Sequence, residues 1–198
     1  MSVQISYKER LSKKNRSNLV FFVDEKFNIS SVKKYITSSE YSFIYDLLKT
    51  SDFKREILSF DINSKKKIFL VSLKKNLKSS EVENLGAKFY DQFKSNRQSE
   101  YVLNSECVPN KLQNTIKHFL HGFKLKSYNF EKYKTKKNKN TISITVSGKN
   151  KPSSKDQIKF KAIEMGTFYT RDLVSEPGNV LHPDEYAKRL SSLKKYGL

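Results

Sequence analysis

Cysteine is almost missing: Cys107 stands alone among 198 residues, which excludes an intramolecular disulfide framework and any metal site built on several thiolates. Tryptophan is absent, and the six glycines, at 86, 122, 148, 166, 178 and 197, are isolated from one another. No loop can therefore bring several backbone N–H groups onto a phosphate, which argues against dinucleotide and nucleoside triphosphate binding. Long apolar runs are lacking too. The longest, Leu19 to Val23 and Ile68 to Val71, fall far short of the roughly 20 residues a membrane-spanning helix needs. The opening MSVQISYKERLSKKNR has no apolar core of signal-peptide length. A cytoplasmic protein in a reducing compartment, with no membrane partner, is expected.

Arginine is scarce, at 10, 16, 55, 97, 171 and 189 only, although Lys and Arg together number 39 against 20 Asp and Glu, for a net charge of +19. Such an excess attracts phosphate backbones and acidic surfaces. Nucleic-acid recognition, however, recruits Arg for bidentate contacts, and abundant Lys, Asn, Ile, Phe, Tyr and Ser beside little Ala and Gly reads as the translation of an AT-rich genome. Apolar residues are 36% of the chain and aromatics 13%, so a core rests on Phe and Tyr.

Short runs rich in β-branched and aromatic residues, at Val3–Tyr7, Leu19–Val23, Ile57–Ile62, Ile68–Leu73, Tyr101–Asn104 and Thr141–Val146, read as strands. Helical spacing links Val82, Leu85, Phe89 and Phe93, and again Leu112, Ile116, Phe119, Leu120 and Phe123. Strands separated by helices imply a layered α/β domain. The stretch 149–155, KNKPSSK, reads as a linker. A third helix comes after it, with Ile158, Ala162, Met165, Tyr169 and Leu173 on one face. A last helix opens on Pro183, with Asp184 and Glu185 in its first turn, a stripe of Tyr186, Leu190 and Leu193, and Gly197 as its C-terminal cap. The division expected is 1–152 as the α/β domain, 153–174 as a connector helix and 175–198 as the start of a further domain.

Few residues combine into chemistry. His118 and His121 lie three apart on one helical face, a spacing a metal can bridge, but no third ligand accompanies them and a structural pair is expected. Cys107 has no nucleophile motif around it and reads as an inert thiol. No pair of carboxylates is singled out by spacing. Lys132, Lys134, Lys136, Lys137 and Lys139, interleaved with aromatics from Tyr128 onward, could contact a nucleic-acid backbone; the alternative is a solvated turn feeding the strand at Thr141.

Arg171, Asp172, Leu173, Glu176, Pro177, Asn179 and Pro183, in the order RDLVSEPGNVLHP, resemble the segment by which the leucyl (cytosol) aminopeptidases enter their catalytic domain. The upstream run GFKLKSYNFEKYKTKK, 122–137, resembles the family's approach to the last strand of its N-terminal domain; before about Lys111 only the layout is shared. The resemblance implies a macro-domain-like layered mixed sheet flanked by helices and followed by a connector helix. It also implies hexameric assembly, and for the full-length enzyme two divalent metal ions, manganese or zinc, that serve to remove N-terminal residues from peptides. DNA binding by some members makes a basic nucleic-acid-binding, regulatory or assembly module the alternative. Ser175 and His182 depart from the family's usual Asn and Thr, and imidazole is a poor helix cap. Motifs resembling GGKG and NTDAEGR, which carry the family's metal and catalytic residues, do not occur in these 198 residues. No catalytic residue carries over, and a truncated, inactive N-terminal portion is expected.

Overall fold

The computed structural model describes residues 2–9, 18–50, 55–94, 99–108, 114–136 and 141–197. Six strands form one sheet: β1 (Ser2–Lys8), β2 (Asn18–Asp24), β3 (Ile57–Asn63), β4 (Lys66–Leu73), β5 (Glu100–Asn104) and β6 (Thr141–Ser147). Their order is β1-β6-β5-β2-β4-β3. Five run parallel; β3 pairs antiparallel with β4 at one edge, so the sheet is mixed.

Parallel strands need helical crossovers, which cover the sheet and make its central strands apolar on both faces. That accounts for the unbroken runs in β2 and β4. Leu19, Phe21, Val23, Ile68 and Leu70 point to one side, where Ile44 and Leu48 of α1 (Ser38–Thr50) cover them. Val20, Phe22, Phe69 and Val71 point to the other, under α2 (Ser79–Phe93) and α3 (Thr115–Lys126). The aromatic core predicted from composition is there. Phe89 meets Phe69, Tyr101, Phe119 and Phe123 with ring centroids 5.6 to 5.9 Å apart, a spacing at which edge and tilted contacts are attractive.

All six strands occupy their expected positions, as do α2 and α3, although Leu112 lies outside the described residues. α1 was not expected. Its exposed Phe43, Tyr45 and Leu47 blur the i, i+4 pair Ile44 and Leu48 that actually faces the core.

Two glycines let α2 and α3 touch backbone to backbone. A Cβ on Gly122 would lie 1.9 Å from the Glu83 carbonyl oxygen, and one on Gly86 would lie 2.0 Å from that of Phe119. This close crossing fixes α3, against which the next helix docks. α4 (Ser154–Ser175) starts where the Ser153 hydroxyl accepts from Asp156 N and lies along the outer side of α3. Of the stripe expected to hold it, Ile158, Ala162 and Met165 are turned to solvent, with Ile158 71% exposed, while Tyr169 is half-buried and Leu173 is buried. The helix docks instead by a mixed face. Phe160 sits 5.3 and 4.9 Å from the rings of His118 and His121, and Asp156 and Glu164 pair with Lys117 and His121. Periodicity counted only apolar residues, and here charged ones make the contact.

Gly122→Ala should lower stability by about 3 kcal/mol, the upper range for overpacking, because backbone must move. Gly166→Ala, in open space on exposed α4, should raise it by about 0.5–1 kcal/mol through the smaller entropy loss on folding. Urea unfolding midpoints check both; a neutral Gly122→Ala would contradict the close crossing.

Candidate functional site

Leu173 ends the docked face of α4 as its one buried residue. The chain then breaks at Glu176-Pro177, since Pro177 cannot donate to a continuing helix. Its carbonyl accepts from Val180 N (2.9 Å) and Leu181 N (3.0 Å), closing a turn that contains exposed Asn179. Pro183 then opens α5 (Pro183–Ser191), whose first turn carries Asp184 and Glu185 and whose N-cap, His182, makes no side-chain capping bond. Gly197, at φ 79°, closes the short 3-10 turn at the end of the helix.

The residues that resemble the family's corner converge on the segment after α3. Arg171 Nη1 donates to the Leu125 carbonyl at 2.6 Å and its guanidinium lies over the Tyr128 ring, while the Tyr128 hydroxyl donates to Asp172 Oδ1 at 2.8 Å. Glu176 is the centre of the arrangement. Its carboxylate, with the side chain 1% exposed, accepts from Lys132 Nζ, the Tyr133 hydroxyl and Arg189 Nη1, the last at 2.8 Å. Arg189 also binds Glu185 through Nε (2.9 Å), and its carbonyl accepts from the Tyr169 hydroxyl. The two stretches that carry the resemblance, 122–137 and 171–183, thus meet through Leu125, Tyr128, Lys132 and Tyr133 on one side and Arg171, Asp172 and Glu176 on the other. Lys132 and Tyr133, the basic and aromatic start of the lysine cluster, are committed to Glu176. Lys134 and Lys136 come next in the turn, and Lys137 and Lys139 lie outside the described residues.

Three donors acting on one carboxylate hold its pKa down at about 2, chiefly through Lys132 and then Tyr133, while Arg189 is raised by the same pairing. The arrangement is a clasp. It has no free nucleophile or base, and it ties a helix without any buried residue, α5, to the folded layer.

The other candidates separate. His118 Nδ1 faces Glu83 of α2 at 2.9 Å and His121 Nδ1 faces Glu164 of α4 at 3.3 Å, so each imidazole bridges to a different helix. No group of three His, Cys, Asp or Glu among the described residues could hold a metal, and these residues do not fit a two-metal site. Cys107 is buried against the Ser31 carbonyl, and desolvation pushes its thiol up to about 12. It is protonated at neutral pH and a poor nucleophile. Sequence reasoning missed Glu83 and Glu164, and placed Glu185 in a helical first turn without its partner Arg189; the spacing of these carboxylates gave no signal until the helices were packed.

A carboxylate held below its unfolded value stabilises the fold above that unfolded value, and the contribution is lost as pH falls toward the folded one. Thermal midpoints should therefore fall between pH 4.5 and 2. Glu176→Gln should lower the midpoint at pH 7 and flatten this acid limb; an unchanged limb would place the linkage elsewhere.

No protein-family model matches the chain. A protein of Clostridium perfringens (strain 13 / Type A) named "Probable cytosol aminopeptidase" is 27% identical over 186 residues, 88% of this chain and 36% of that protein. One of the same name from Nitrobacter winogradskyi is 26% identical over 200 residues, 93% of this chain and 40% of that protein. The same name belongs to a Bradyrhizobium protein 37% identical over 82 residues, 39% of this chain and 16% of that one. Among solved structures, a tomato leucine aminopeptidase mutant superposes with a TM-score of 0.72 at 16% identity, over 99% of this chain and 43% of its own. The chain thus spans about two fifths of the relatives it matches end to end. Along almost its whole length this chain is similar to the N-terminal portion of longer proteins named cytosol aminopeptidase, and it shares the fold of the corresponding part of a leucine aminopeptidase.

Proposed function

We propose that this chain is the N-terminal portion of a leucyl aminopeptidase, a metal-dependent exopeptidase that releases N-terminal amino acids from peptides, and that these 198 residues do not catalyse the reaction by themselves. The observation that carries the proposal is coverage. Nearly all of the chain aligns with relatives of which it spans 36% and 40%, while the sequence contains nothing resembling the family's GGKG and NTDAEGR motifs. A two-metal hydrolase needs a fixed cage of ligands to activate water. That cage would belong to residues other than these.

Surface chemistry supports the same reading. α4 and α5 leave Ile158, Met165, Val174, Tyr186 and Leu190 exposed, apolar surface that further protein mass can cover. In this proposal 1–152 is the α/β domain, 153–174 the connector and 175–198 the first part of the catalytic domain, whose remaining mass covers those side chains. Among the described residues no helix is long and apolar enough to cross a membrane, which agrees with a cytoplasmic setting, and hexameric assembly of the full-length enzyme comes with membership of the family. The alternative nucleic-acid role rests on the +19 charge, the lysine cluster and DNA binding by some family members; Lys132 and Tyr133 of that cluster are engaged by Glu176 instead.

The 198-residue chain should release no p-nitroaniline from leucine p-nitroanilide above a metal-only blank, with either manganese or zinc added. Saturable, metal-dependent release by the purified chain would overturn the proposal.

A further inference from the structure

A half-enclosed cleft of about 380 Å³ opens between β1, α3 and α4, remote from the Glu176 clasp. Ile5, Leu120 and Phe160 give it an apolar wall. Its polar groups fall into two sets. The carboxylates are satisfied, Asp156 by Lys117 at 3.1 Å and Glu164 by His121 at 3.3 Å.

The remaining donors are not. Lys124 gives one bond to the Val3 carbonyl and has no carboxylate in ion-pair range among the described residues. Lys161 makes no ion pair among them, and the Tyr7 hydroxyl finds no hydrogen-bond partner among them. Burial weighs on Lys124 and Tyr7, while Lys161 is exposed. Desolvation lowers the Lys124 pKa, offset in part by the Glu164 charge, and desolvation, followed by that same charge, raises that of Tyr7. A half-buried ammonium with no direct ion pair is costly, and an incoming anion relieves that cost while a neutral ligand does not.

We propose that this cleft is a binding site for a small organic anion, a carboxylate or phosphate group carried on an apolar body, with Lys124, Lys161 and Tyr7 taking the charged oxygens and Phe160 the apolar part. The site is independent of the aminopeptidase reading. It would serve the chain whether or not a catalytic domain is attached. Three lysines, Lys117, Lys124 and Lys161, stand against two carboxylates, Asp156 and Glu164, so the lining keeps an excess of positive charge.

Isothermal titration calorimetry at physiological ionic strength, with 3-phenylpropionate, phenyl phosphate, the neutral 3-phenylpropanamide and inorganic phosphate as probes, tests the proposal. At least one aromatic anion should bind saturably and at least ten-fold tighter than both the amide and inorganic phosphate, and the preferred anion identifies the oxyanion the site takes. Tyr7→Phe and Lys161→Ala should each weaken it several-fold, and Lys124→Met more. Lys49→Gln, a change at an exposed lysine on α1, should leave it unchanged. Should Lys124→Met fail to fold, the other two variants carry the test. Binding that is equal for anion and amide, equal for phenyl phosphate and inorganic phosphate, or undiminished in Tyr7→Phe and Lys161→Ala overturns the site.

Discussion

One buried carboxylate organises the end of this chain. Glu176 lies at the break between α4 and α5, covered from solvent, and receives Lys132 and Tyr133 from one side and Arg189 from the other. Charge-assisted bonds of this kind are the strong ones, and a carboxylate that takes three donors across both oxygens is held in a single orientation. α5 has no buried residue of its own, so hydrophobic burial does not explain where it sits. Its direction away from the sheet is set mainly by these polar contacts and by the Tyr169 hydroxyl on the Arg189 carbonyl.

The clasp in turn depends on α3 and the segment after it. α3 is seated by backbone contact at Gly122 and Gly86, and its exposed side presents Lys117, His118 and His121 to α4. The chain leaving α3 then supplies Leu125, Tyr128, Lys132 and Tyr133 to Arg171, Asp172 and Glu176. A run of causes therefore leads from two glycines, through one helix position, to the orientation of the last helix. The same seating opens the cleft lined by Tyr7, Lys124 and Lys161, because α4 packs on α3 without filling the space against β1.

Much of the fold was legible in the sequence because parallel strands covered on both faces leave unbroken apolar runs, as at Leu19–Val23 and Ile68–Leu73. α2 and α3 were legible because each buries one periodic face. α1 was not, since three of its large apolar side chains face solvent, and the docking face of α4 was misjudged because Asp156, Phe160 and Glu164 mix charge with one aromatic ring. The corner residues were recognisable through their resemblance to a family segment, but their partners were not. Nothing in the spacing of Lys132 or Arg189 reveals that both meet Glu176, 44 and 13 residues away. Long-range polar contacts leave no periodic trace.

The role of Glu176 is measured most directly by amide hydrogen exchange across residues 176–191, compared between the native chain and Glu176→Gln. A polar clasp requires protection in α5 that is lost in the variant, while β2, β4, α2 and α3 exchange as before. Protection of α5 that survives loss of the Glu176 charge would contradict the clasp, and with it the view that this corner orients the last helix.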